Sequence, residues 1–139
     1  MLDEDSLLVG FDLVKSEQVL QAAYNDSQGV TKQFNKNILN VINVIIKTDF
    51  DIADFDHHCF FNHEKSRIEM HLIANKSCIV NSQFFESPIS FKKGESIHTE
   101  NSHKYSLGAI NELIENSELI IKNNYTDSDS WFALVEFVK

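Results

Sequence analysis

Apolar and polar positions along the chain predict an α/β protein. Leu7–Val14 is a short apolar run with Gly10 inside it and reads as a buried strand. Ser16 follows as a helix cap with Glu17 in the first turn, which predicts a short helix over Ser16–Tyr24. Asn25–Gly29 reads as a turn or helix break. Over Val30–Ile46, Phe34, Ile38, Val41, Ile42, Ile45 and Ile46 recur at three- and four-residue steps. That spacing predicts a helix with one apolar face, and Lys32, Lys36, Asn40 and Asn43 lie mostly elsewhere.

Beyond this helix the period changes. Asp49–Asp56 alternates acids with Phe50, Ile52 and Phe55 and reads as a loop or short turn. Cys59–Asn62 and Arg67–Asn75 read as a hairpin around His63–Ser66. Gln83–Phe85 and Ile89–Phe91 are expected to pair as short strands, and Ser96–Glu100 is a further strand after the turn at Lys92–Glu95. Ser106 is placed to cap a helix over Ser106–Asn116, with Ile110, Leu113 and Ile114 facing inward. Glu118–Tyr125 and Phe132–Val138 close the chain as two strands. The β-rich middle looks like an insertion between two parts of one sheet.

Composition narrows the class. The chain has 139 residues, one domain's worth, with 42% hydrophobic and 24% charged residues. Its formal charge of −9, with no basic stripe, disfavours nucleic acid and anionic membranes as partners. Cys59 and Cys78 lack the spacing of a disulfide framework or a four-thiolate zinc site. No signal segment or long apolar run is seen, so a cytoplasmic protein is expected.

The chemistry-bearing stretch is Ile97–Tyr105. Glu100 and Ser102 are two residues apart, so an extended chain projects both to one face. A carboxylate and a hydroxyl together suit an N–H-bearing ring such as imidazole, although from these residues alone a solvated Glu at a polar strand end is the favoured reading. The six histidines show no HxxxH spacing and His57 and His58 would diverge on a strand. They read as surface or satisfied polar residues, and no metal site is expected. The acids Asp49, Asp51, Asp54 and Asp56 lack the central Gly of a calcium loop, and Phe60 stands where its terminal Glu would be.

Four segments, taken together, carry a family resemblance. They are Leu7–Lys15 (LLVGFDLVK), Ala23–Asn35 (AYNDSQGVTKQFN), Arg67–Leu72 (RIEMHL) and Ile97–Tyr105 (IHTENSHKY). In this order and at these separations the chain resembles the C-terminal half of the histidine-specific, S-adenosylmethionine-dependent methyltransferases of ergothioneine biosynthesis, from about Leu7 to Phe137. The resemblance implies a Rossmann-like methyltransferase sheet interrupted by a substrate domain. Residues 1–14 and 105–139 would be the remnant of that sheet, and 15–104 a β-rich substrate-recognition lobe.

Residue by residue, the resemblance makes Tyr24 the binder of the substrate carboxylate, although Asn25 stands where Asp is common. Glu100 and Ser102 would hold the histidine imidazole, Met70 would line the ring pocket, and Thr31 would support Tyr24. A core role for Met70 and simple helix packing for Thr31 are equal rivals. None of these groups is a nucleophile, so no catalytic residue is assigned.

The cofactor implied is S-adenosylmethionine. Its Gly-rich turn is missing: Gly10, Gly29, Gly94 and Gly108 form no Gly-x-Gly element. The chain is therefore expected to be the substrate-recognising half of an amino-acid Nα-methyltransferase acting on L-histidine, inactive by itself. An excised domain, a split-gene product and a remnant read equally well. The alternatives are a non-catalytic amino-acid-binding module or a structural remnant. Expected partners are the amino acid, an N-terminal half on another chain, and a second copy paired through the Leu7–Val14 strand.

Overall fold

The computed structural model describes residues 4–139; the first three residues of the expected 1–14 sheet segment lie outside them. In chain order the elements are β1 (Ser6–Asp12), α1 (Glu17–Tyr24), α2 (Val30–Ile45), β2 (Phe55–Asn62), β3 (Arg67–Ala74), β4 (Cys78–Val80), β5 (Ile89–Phe91), β6 (Ser96–His103), α3 (Leu107–Ile114), β7 (Ile120–Thr126) and β8 (Phe132–Val138). The chain divides into two compact units. One holds residues 4–16, 63–67 and 103–139, the other Glu17–Asn62 and Ile68–Ser102.

The first unit is built on a three-stranded sheet in the order β1-β8-β7. The strand β8 is antiparallel to both neighbours, pairing Ser6 with Val138 through Asp12 with Phe132 on one side and Ile120 with Val138 on the other. Strands β1 and β7 therefore run parallel to each other. Period-two alternation sends Ala133, Val135 and Phe137 of β8 into the core, where they meet Phe11, Leu13 and Ile110. Phe11 presents edges to Tyr105 and Phe137, at ring-centroid distances of 5.1 and 6.2 Å. Ser106 caps α3, its Oγ accepting from Ala109 N at 3.0 Å. Ile110 and Ile114 face inward as expected, but Leu113 is exposed.

A charged cluster lies at the end of β1. Asp12 Oδ1 accepts from Lys15 Nζ at 2.6 Å, and its Oδ2 pairs with Lys104 Nζ at 2.9 Å. The Lys104 side chain is wholly buried. Lys15 Nζ also donates to the Trp131 carbonyl and sits 5.6 Å from the Trp131 ring. Burial alone raises the Asp12 carboxyl, but the hydrogen bonds and charges of Lys15 and Lys104 outweigh it and hold the group below the ordinary carboxylate value.

The second unit holds the sheet β2-β3-β6 and the separate pair β4-β5. Alternation again sorts the faces. Ile68, Met70, Leu72 and Ala74 of β3 are buried. Ile68 and Met70 cluster with Leu20 and Cys59, and Leu72 and Ala74 with Leu39 and Phe55.

The helix α2 departs from the sequence expectation. Phe34, Ile38, Val41 and Ile45 were to form the inward face with Ile42 and Ile46, yet Phe34 and Ile45 are 65% and 68% exposed. The buried residues are Asn35 and Leu39, with Ile42 and Ile46 half-buried. The helix is turned by about one residue because Asn35 is drawn into a buried polar network, described below. Apolar periodicity does not weigh such bonds.

The short strands also differ from expectation. Ile89–Phe91 pairs with Cys78–Val80, not with Gln83–Phe85. The latter stretch is a turn because Asp49 binds Asn81 through backbone and side chain, and Ser82 Oγ is fastened to the Ile46 carbonyl. Strand β2 starts at Phe55, earlier than expected. The wholly buried Phe55 ring packs edge-on to Phe50 and Phe91, which draws the chain into the sheet. No helix is long and apolar enough to cross a membrane among the described residues.

Candidate functional site

Tyr24 ends α1, and its hydroxyl lies 2.6 Å from the Ser102 hydroxyl on β6. The turn after α1 fixes this position. Gly29 adopts φ 71°, a left-handed conformation suited to glycine. Asp26 Oδ2 and Oδ1 accept from Val30 N and Thr31 N, at 2.9 and 2.8 Å, and so satisfy the opening amides of α2. These amides, Thr31 first, hold the Asp26 carboxyl below its ordinary value. Thr31 Oγ1 donates back to the Ala23 carbonyl at 3.3 Å, beside Tyr24.

A buried network underlies this turn. Asn35 Nδ2 donates to His57 Nδ1 at 2.9 Å and lies 3.1 Å from the His71 carbonyl. With Nδ1 accepting, His57 carries its proton on Nε2 and donates it to the Tyr24 carbonyl at 3.0 Å. The Thr99 hydroxyl lies 2.6 Å from Asn35 Oδ1 and 2.9 Å from the Met70 carbonyl. One amide thus ties α2 to β2, β3 and β6, and His57 extends the network to the end of α1. No buried side-chain polar atom among the described residues lacks a partner.

The sequence-derived residues occupy different places in this frame. Tyr24 and Ser102 touch. Met70 is a core residue, 2% exposed, in the cluster against which Tyr24 packs. Glu100 is exposed and lines a cavity of about 200 Å³ with Phe34, Asn35, Asn37, Ile38, Val41 and Thr99. Along β6 the alternation of burial changes phase at Glu100–Asn101, so that Thr99 and Ser102 are half-buried and Glu100 is exposed.

Sequence reasoning passed over Asn35 and Thr99, whereas His57 is a satisfied polar residue as expected. The available signal was the polar Asn35 embedded between Phe34 and Ile38, a position where an amide inside a helix calls for a partner.

The architecture is that of a mixed α/β protein assembled from antiparallel sheets. The model of the SAM-dependent, histidine-specific methyltransferase family matches residues 1–139, and the chain belongs to that family. It is 38% identical over 130 residues to the histidine N-alpha-methyltransferase of Mycobacterium tuberculosis, covering 94% of this chain and 40% of that protein. It is 42% identical over 101 residues to the enzyme of the same name from Mycolicibacterium smegmatis, covering 73% of this chain and 32% of the relative. Identity to ergothioneine biosynthesis protein 1 of Schizosaccharomyces pombe is 27% over 123 residues, 87% of this chain and 16% of that protein. The chain thus spans well under half the length of these curated relatives.

Proposed function

We propose that this chain is the substrate-recognising part of a SAM-dependent Nα-methyltransferase acting on L-histidine. The observation that carries the reading is the Tyr24–Ser102 hydroxyl contact. Two residues that the family resemblance assigns to opposite ends of one substrate, its carboxylate and its imidazole, are brought together across 78 residues of sequence.

The roles follow from donor chemistry. The Tyr24 phenol donates to the substrate carboxylate, exchanging its bond to Ser102 for one to the ligand. Ser102 Oγ, so released, serves one imidazole nitrogen, and Glu100 accepts the N–H of the other. Met70 lines the ring pocket from the cluster against which Tyr24 packs, and Thr31 supports Tyr24 through the Ala23 carbonyl. The cavity of about 200 Å³ beside Glu100 is lined by neither Tyr24 nor Ser102, so the reading rests on the hydroxyl contact and not on that cavity.

S-adenosylmethionine, when bound, supplies an electrophilic methyl group on sulfur. The protein's part is to align the amine with that methyl, which is a matter of orientation. The glycines here do not form the family's cofactor turn. Gly10 lies in β1 under the Phe132 ring, Gly29 and Gly94 occupy left-handed turns, and Gly108 is in α3. We place the cofactor's main binding motif in an N-terminal half, on another chain where the gene is split.

The Rossmann-like reading has its support in the first unit. The parallel strands β1 and β7 flank the reversed strand β8, as at the antiparallel edge of an otherwise parallel sheet. Residues 1–14 and 105–139 would belong to that sheet and 15–104 to the inserted lobe, in a cytoplasmic protein.

Calorimetric titration with histidine, with the cofactor product, and with both tests the proposal, using the chain alone and the chain supplied with a cofactor-binding half. Histidine heat that is lost in Tyr24→Phe is the expected result. Absence of heat in every combination rejects the proposal.

A further inference from the structure

The sheet β2-β3-β6 has a second face, turned away from the Met70 core. There His58, Phe60, His71 and His98 form a row across the three strands. Phe60 stacks on His71 with centroids 5.6 Å apart and planes at 19°, and His71 stacks on His98 at 4.5 Å and 14°. His71 is thereby clamped between two rings. Glu69 lies two residues before it on β3 and therefore on the same face. Glu69 Oε2 is 3.3 Å from His71 Nε2, and Asn62 Nδ2 donates to Glu69 Oε1 at 3.0 Å. One ligand atom from each of Glu69, His71 and His98 lies within 4.8 Å of the others.

We propose that Glu69, His71 and His98 form a binding site for one divalent transition-metal ion of the zinc class. The donor set decides the class of ion. Two imidazole nitrogens and one carboxylate oxygen suit zinc, cobalt or iron(II), whereas magnesium and calcium seek oxygen ligands. Three protein ligands leave at least one coordination position for water. Asn62 supplies the outer hydrogen bond that orients a ligating carboxylate.

A metal held at about 2.0–2.2 Å from tetrahedral ligands needs its ligand atoms roughly 3.4 Å apart, so the cluster has to contract. Glu69 and His71 are largely enclosed, with side chains 10% and 16% exposed. His98 is exposed on the neighbouring strand and supplies the movement: because an imidazole binds metal in its ring plane, it gives up its stack on His71 and its contact with the Glu100 carbonyl to turn a nitrogen toward the ion. Local sequence spacing misses such a site because its third ligand comes from a different strand, 27 residues after His71 by number (98 − 71).

The test uses the chain as it is, freed of metal with a chelator. Titration with zinc and with cobalt(II) is followed by calorimetry, by cobalt absorption and by imidazole NMR shifts. One equivalent of each metal is expected to bind, with resonances of His71 and His98 moving together. His98→Ala and Glu69→Gln should each weaken zinc binding by more than the roughly ten- to a hundredfold that loss of an outer hydrogen-bond partner costs. His63→Ala and His103→Ala should leave it unchanged, and magnesium should not bind. His98→Ala alters an exposed side chain, so its outcome does not depend on refolding a damaged core. Lack of binding up to about 100 μM zinc, or binding insensitive to His98→Ala, overturns the proposal.

Discussion

The Tyr24 hydroxyl and the Ser102 hydroxyl lie 2.6 Å apart, joining the last residue of α1 to the seventh residue of β6. Each can be donor or acceptor, so the pair is a switchable polar contact. A half-buried neutral hydrogen bond contributes about 1 kcal/mol. Tyr24→Phe and Ser102→Ala should therefore each lower the chain's unfolding free energy by about that amount. The double variant should lose less than the sum of the two. Urea unfolding of the four proteins measures this; strict additivity would show that the hydroxyls do not interact in solution.

Asn35 should be far more sensitive than its exposed neighbours. Asn35→Ala removes the partners of His57 Nδ1 and weakens the holds on Thr99 and the His71 carbonyl. The expected cost is about 2–4 kcal/mol, because buried polar groups lose their bonds without regaining water. Asn40→Ala, at an exposed position of the same helix, should change stability by less than about 0.5 kcal/mol. Thermal unfolding of both variants makes the comparison.

Acid should weaken the first unit through Asp12. Its carboxyl sits below the ordinary value of 3.8. A lowered folded-state pKa gives stability that is fully present above the unfolded value, and lost as pH falls through the folded one. The loss therefore begins near about pH 4 and continues below it. Asp12→Asn should lower stability at neutral pH and flatten this acid limb. Unfolding curves at a series of pH values reveal whether the wild-type limb is steeper than the variant's.

Specificity separates the two ends of the proposed substrate. In an active assembly that includes a cofactor-binding half, Glu100→Ala should weaken histidine use by about 1–3 kcal/mol, and more where the lost bond is charge-assisted. Tyr24→Phe should weaken use of any α-amino acid. Steady-state kinetics with histidine and a non-imidazole amino acid give the comparison. Equal losses for both in the Glu100 variant would refute its imidazole role. The chain by itself should methylate neither.

Self-association should run through β1. Its second edge, over Ser6–Phe11, has no strand partner among the described residues, and Leu7 and Leu8 are exposed. An apolar unpaired edge is a template for another strand. Sedimentation velocity should show a concentration-dependent dimer that Leu8→Lys reduces.

The sequence by itself determined what depends on neighbours along the chain. The strand at Leu7–Val14, the Ser106 cap, the hairpin around His63–Ser66 and the pairing of Glu118–Tyr125 with Phe132–Val138 all follow from local periodicity and turn chemistry. So does the family, because Leu7–Lys15, Ala23–Asn35, Arg67–Leu72 and Ile97–Tyr105 carry its pattern in the letters alone.

Tertiary structure decided what depends on bonds between distant residues. Hydrophobic spacing turned Phe34 and Ile45 inward, but the amide of Asn35, bonded to His57 and Thr99, turned α2 by about one residue and left those side chains in solvent. Spacing also gave Gln83–Phe85 a strand, while Asp49 and the Ile46 carbonyl, holding Asn81 and Ser82, made it a turn. Glu69, His71 and His98 meet only because β3 and β6 are neighbours in the sheet. Strand order of this kind is settled by burial and hydrogen bonding summed over the whole chain, and no local window of sequence contains it.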